Sequence, residues 1–165
     1  MPPSIPKTYR AVRRSAGTPS ETNPLPLEIT TEPTLPPSGL AANQVLIRIH
    51  AVSLNYRDVI IPRGTYPGGV LDRGIVASDC AGEVVLVGDA VTRVSVGDRV
   101  CPTFDLANLD GTIVGEGNDA LGGDVDGVLR EWAVYGEEVL VKLPAHLSWE
   151  EVSFLEKGVG ESGGC

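Results

Sequence analysis

At 165 residues and 17.3 kDa the chain has room for one ordinary domain that buries roughly 70% of its unfolded surface. Its 42% hydrophobic and 21% charged residues exclude a disordered polyelectrolyte, and 20 Gly with 13 Pro exclude an all-helical bundle. A formal charge of −9, carried mostly by nine acids against one base (Arg130) in residues 101–138, sets the chain's field against phosphate, so neither nucleic acid nor an anionic membrane is an expected partner.

Nine of the thirteen prolines lie in residues 1–37 and nineteen of the twenty glycines after residue 38. The chain therefore divides into a Pro-rich segment (1–37), a main domain (38–155) and a Gly-rich tail (156–165). Within the first segment, Thr8 to Arg13 and Leu27 to Thr31 predict two short strands. From Gln44, the alternation of Val45, Ile47, Ile49 and Ala51 with Leu46, Arg48, His50 and Val52 predicts a half-buried strand. Ser53 or Asn55 is placed to cap a helical turn that Pro62 and Gly64 end. Gly82 to Val87 reads as a second long strand, and turns at Gly88-Asp89 and Gly97-Asp98 set off further strands at 91–96 and from Arg99. Residues 105–127, with six glycines and six acids, have no periodicity and read as a long loop. Strand character returns at Val128 to Tyr135 and Val139 to Lys142. Ser148-Trp-Glu-Glu151 then forms a capping box, flanked by Leu147 and Val152 as a hydrophobic staple, so a helix starts at Trp149. Short strands joined by Gly-containing turns predict a mainly β (α+β) fold, a small barrel or sandwich with short helices.

Two glycine patterns, Gly115-Glu-Gly117-Asn-Asp-Ala120 and Gly158-Val-Gly160-Glu-Ser-Gly163, mimic a dinucleotide fingerprint. Neither follows a buried strand and opens a helix, as a pyrophosphate site requires. His50, His146, Cys80 and Cys101 share no ligand spacing, so no metal site is expected; both histidines read as surface residues and both cysteines as small buried ones. Cys80, Cys101 and Cys165 are odd in number and lack CxxC spacing, which points to reduced thiols and the cytoplasm. No apolar run reaches the length of a membrane span. A GxSxG elbow is absent, and Asp124-Val-Asp126-Gly127 lacks the ligand series of a calcium loop.

The segments VLIRIHAVSLNYRDVIIPRGTYP, SDCAGEVVLVGDAVTRVSVGDRVCPTF, GVLREWAV and LVKLPAHLSWEEVSFL, in that order over roughly residues 5–155, resemble the medium-chain dehydrogenase/reductase superfamily. The resemblance is narrower to its zinc-independent alcohol dehydrogenase-like and quinone oxidoreductase-like members. It implies a GroES-like, partly open β-barrel with short helices, which in the family precedes a Rossmann domain for NADP or NAD. Zinc-dependent members have Cys where this chain has Asn55, and Gly-His-Glu where it has Ala77-Ser78-Asp79; the family's four-Cys zinc lobe corresponds to 105–127, which has no Cys. The resemblance therefore implies no metal. In zinc-free members the segment containing Asn55, Tyr56 and Asp58 lines the nicotinamide side of the cleft. Asn55, Tyr56 and Asp58 are thus candidate cofactor contacts. Tyr56, with Asn55, is the candidate catalytic residue, its hydroxyl donating to a substrate carbonyl as hydride arrives. The structural alternative has Asn55 capping the turn, Tyr56 packing on the barrel and Asp58 pairing with Arg57 or Arg63.

Family members run to about twice this length, so the expectation is a truncated NAD(P)H-dependent oxidoreductase for a small carbonyl, enone or quinone. It would lack the Rossmann domain and be inactive alone. The rival reading is a non-catalytic binding or regulatory module that pairs with a full-length relative through the face its missing domain would cover. A third assigns residues 156–165 to a misread gene boundary.

Overall fold

A computed structural model describes residues 4–36, 38–109 and 119–155. The two glycine patterns lie mostly or wholly outside them. Strands β1 (Thr8–Arg14) and β2 (Leu27–Pro33) pair antiparallel as a separate ribbon. β3 (Gln44–Ser53) leads into the short helix α1 (Tyr56–Ile60) and then β4 (Asp79–Val87). β5 (Arg99–Pro102), β6 (Trp132–Gly136), a 3₁₀ turn at Glu137–Val139, β7 (Leu140–Lys142) and helix α2 (Trp149–Leu155) complete the order. The second sheet runs β6-β3-β4-β5-β7, every pairing antiparallel, and curls into a half-barrel, as the resemblance implies.

β3 is the strand the alternation predicted, but Val45, Leu46 and Ile47 are all fully buried. Both faces of the sheet are covered there. Val45 and Ile47 join Val84, Val100, Leu121, Val128 and Tyr135 inside the half-barrel, whereas Leu46 packs outward with Tyr9 and Ala11 of β1, Ile75, Val85 and Trp132. The ribbon thus closes the outer face, and continuous apolar runs replace alternation where a strand is buried on both sides.

Two predicted strands differ. Residues 91–96 form turns rather than a ladder, because β4 pairs directly with β5 (Gly82↔Val100, Glu83↔Arg99) and the amide of Gly97 returns to the Val84 carbonyl. Residues 128–131 precede β6, which starts at Trp132. The amides of Gly127, Val128 and Leu129 instead donate to the carbonyls of Ile75, Ala77 and Val76 in the segment ahead of β4 at 2.8–2.9 Å, and that of Glu131 donates to Arg10 of β1 at 3.1 Å. The capping box at α2 forms as expected, with Ser148 N–H donating to Glu151 Oε2 at 2.8 Å and Glu151 N–H to Ser148 Oγ at 3.2 Å. Val152 is buried behind it.

That close crossing requires glycine. A Cβ on Gly127 would lie 2.1, 2.5 and 2.7 Å from the carbonyl oxygens of Ala77, Val76 and Ile75, and backbone in a ladder cannot move aside. Gly127→Ala is therefore expected to lower the unfolding free energy by about 1–3 kcal/mol in urea titration. A midpoint equal to wild type would contradict this packing.

Candidate functional site

The sequence after β3 forms one turn of helix because Asn55 keeps extended backbone (φ −120°, ψ 165°) and the chain then enters helical conformation. Asp58 closes the cap from the third helical position: its Oδ2 accepts the Asn55 N–H at 2.8 Å. It also accepts a backbone bond from Ala77, and burial pushes its carboxyl above the usual range. Pro62 follows the helix, and Gly64 (φ +69°) lies where a Cβ would meet the Pro19 carbonyl oxygen at 2.7 Å, so the helix stops after five residues.

The entry to β4 supplies the other half. Ser78 and Asp79 are buried, and Asp79 Oδ2 accepts from both Ser78 Oγ (3.0 Å) and Asn55 Nδ2. The carboxylate thus joins helix and strand through two neutral donors. Ala77, immediately before, is fully buried with φ +67°, a left-handed conformation that costs a non-glycine residue about 1–2 kcal/mol.

Two arginines hold the loop behind this network. Arg14, 2% exposed, donates to the carbonyls of Gly122 (2.9 Å) and Leu71 (3.0 Å). Desolvation, followed by the nearby Arg57, lowers its pKa. Arg57 Nη1 donates to the Leu121 carbonyl at 2.6 Å, and its guanidinium carbon lies 5.0 Å from the ring centroids of both Tyr66 and Phe104. A Cβ at Gly123 would meet Arg57 Nη2 at 2.1 Å, so the guanidinium fills the space that glycine leaves.

The predicted residues therefore separate. Asn55 and Asp58 meet in one network with Ser78 and Asp79, while Tyr56 is 76% exposed and does not pack on the barrel. Asp58 engages backbone amides; among the described residues it forms no ion pair with Arg57 or Arg63. Sequence reasoning treated Ser78 and Asp79 as replaced positions rather than partners, offered Arg57 only as an ion-pair partner of Asp58, and missed Tyr66 and Phe104. The adjacency of Ser78, Asp79 and a buried strand was the available signal for the first pair. Cys80 and Cys101 are buried and His146 is exposed. Two surface concavities, of about 400 and 560 Å³, lie elsewhere, the first lined by Val12, Ile29, Ile49, His50 and Leu129 among others, the second by Pro6, Arg48 and Trp132 among others. Neither borders Asn55, Tyr56 or Asp58.

Residues 41–145 match the alcohol dehydrogenase GroES-like domain family. A zinc-type alcohol dehydrogenase-like protein of Schizosaccharomyces pombe is 39% identical over 120 residues, 72% of this chain and 35% of its own. A quinone oxidoreductase of Pseudomonas aeruginosa is 33% identical over 117 residues, 71% and 30% of the two chains. Among solved structures, a Sinorhizobium meliloti protein assigned as an alcohol dehydrogenase has a TM-score of 0.76 at 32% identity, covering 93% of this chain and 44% of that one. The acetophenone reductase of Geotrichum candidum in complex with NAD has a TM-score of 0.75 at 17% identity, covering 93% and 45%, and shows the fold alone. The chain thus spans about a third of the curated relatives' length and under half of the solved chains'.

The donor set does not fit the zinc in the first relative's name. Asn55 and Ser78 stand with Asp79, amide and hydroxyl groups are poor zinc ligands, and the Asp79 carboxylate already accepts both donors. Among the described residues no group of three or more His, Cys, Asp or Glu could hold a metal ion. Hydrogen bonds hold this site. Asp79→Ala strands the buried Ser78 hydroxyl and the Asn55 amide, so thermal or urea unfolding is expected to report a loss of about 1–3 kcal/mol. An unchanged stability would mean that Asp79 does not tie α1 to β4.

Proposed function

The chain belongs to the alcohol dehydrogenase GroES-like domain family, within the medium-chain dehydrogenase/reductases, and from that membership we propose that it is the substrate half of a zinc-independent nicotinamide oxidoreductase. The substrate class is a small carbonyl, enone or quinone, and the proposed compartment is the cytoplasm; no helix among the described residues is long and apolar enough to cross a membrane.

The observation that carries the reading is the outer face of α1. Leu54 and Tyr56 are 68% and 76% exposed, with Val59 and Phe104 also open to solvent, above a partly buried polar network that fixes the helix. Exposed apolar side chains beside a phenol hydroxyl suit a substrate and the flat end of a cofactor better than bulk water does. The described residues do not fit the pyrophosphate end: α1 and α2 have five and seven residues, and neither follows a glycine-rich loop. Asn55, Tyr56 and Asp58 are the residues that would meet the nicotinamide end. A nicotinamide held there would supply hydride. Tyr56 would donate its hydroxyl hydrogen bond to the substrate's carbonyl oxygen and stabilise the negative charge developing on it. Asn55 and Asp58 would hold the turn that aims Tyr56.

The same exposed face favours a second reading, a non-catalytic module that pairs with a full-length relative through α1. Sedimentation of the chain with and without such a relative separates the two. A stable complex without hydride transfer supports pairing, and a soluble monomer counts against it.

Because positioning of the dinucleotide rests on a domain that these 165 residues do not supply, the isolated chain is expected to be inactive. Titration calorimetry should show no saturable NADPH binding at micromolar concentrations. Micromolar affinity, or turnover by the chain alone, would overturn the assignment of the cofactor half to another domain.

A further inference from the structure

Helix α2 is seated on the sheet through a stack of side chains. β3 and β5 flank β4, and the indole of Trp149, the first residue of α2, meets a side chain from each. The His50 imidazole of β3 stacks on it with centroids 4.3 Å apart and planes at 8°. From β5, the Arg99 guanidinium carbon lies 4.0 Å from the indole centroid, held there by Nη1 donating to the carbonyls of Ala145 and Leu147. His50 Nε2 lies 3.3 Å from Glu83 Oε2 on β4.

We propose that this stack is a proton-operated clasp, in which protonation of His50 draws α2 more tightly onto the sheet. A neutral imidazole offers the indole only ring stacking. The imidazolium places positive charge over the indole face and makes the contact with Glu83 a charge-assisted one. Arg99 opposes this, but it reaches the indole from β5, on the far side of β4 from β3. The remaining charges around His50 change little in its reach. Arg48 lies opposite Glu83 in the β3–β4 register. Arg10 and Glu131 line the same groove as His50 and are paired with each other at 2.6 Å. On α2, Glu151 is engaged by the Ser148 amide, and Glu150 and His146 are exposed. Histidine is the side chain whose charge changes between about pH 5 and 8.

Amide hydrogen exchange of the whole chain tests this at residues Glu150 to Ser153, with rates normalised for their intrinsic pH dependence. Protection at about pH 5.5 is expected to exceed that at about pH 8 by about threefold. The response should vanish in His50→Gln, shrink in Glu83→Gln and persist in His146→Gln. Equal protection at the two pH values, a looser α2 at the lower one, or an unchanged response in His50→Gln would overturn the proposal. If His50→Gln does not fold, Glu83→Gln decides: a shrunken response supports the clasp and an undiminished one refutes it.

Discussion

The segment from Gly74 to Asp79 is threaded between β1 and residues 127–129 and bonded along both edges, with Arg14 and Val76 amides donating across β1 at 3.1 Å and Gly127, Val128 and Leu129 amides closing the other side. Within it Ala77 is held at φ +67° with no exposed surface. Such a conformation persists only when neighbours over-determine it, and here two glycines do so: a Cβ on Gly122 or Gly127 would meet the Ala77 carbonyl oxygen at 2.6 or 2.1 Å. The turn at Ala77 sends Ser78 and Asp79 toward Asn55 and makes the Ala77 amide available to Asp58. Helix α1, too short to be stable by its own propensity, is thereby fixed at its N-terminal end by tertiary contacts.

Charge placement follows the same logic. Two guanidiniums, Arg14 and Arg57, are taken out of water to hold the carbonyls of Leu71, Leu121 and Gly122. Backbone carbonyls satisfy part of the donor fork but neutralise no charge. Arg57 is further accommodated by the faces of Tyr66 and Phe104, and acids at Asp58, Asp72 and Asp126 offset the field at Arg14. In this chain the loop that begins after β5 is anchored by arginine and glycine rather than by cysteine. The acidic balance of residues 101–138 is partly spent within the fold, since Asp126 pairs with Arg13 at 2.8 Å and Glu131 with Arg10.

Much of the fold was legible because its signals are local. The strand from Gln44, the Ser148-Glu151 box and the Asn55 cap each depend on residues within a few positions, and each formed, although β3 is buried on both faces at Val45 to Ile47 rather than on one. What stayed hidden depends on contacts distant in sequence. Residues 91–96 have β-branched content but no partner strand, because the turns around them bring β5 directly to β4. Residues 128–131 read as strand, yet the amides of Val128 and Leu129 go to a segment about fifty residues earlier and that of Glu131 to Arg10 of β1. At the site, Asn55 was legible as a cap, but its bond to Asp79 joins two elements 24 positions apart. The exposure of Tyr56 was not legible either, since a tyrosine on a short helix faces core or solvent according to what packs above it.

A network of Asn55, Asp58, Ser78 and Asp79, whose groups do not suit zinc, builds the site of this GroES-like domain. This assignment is tested most directly by measuring zinc content together with thermal unfolding before and after exhaustive chelation. Substoichiometric zinc and an unchanged unfolding midpoint are expected. One zinc per chain, with a midpoint that falls on chelation and recovers on adding zinc back, would contradict it.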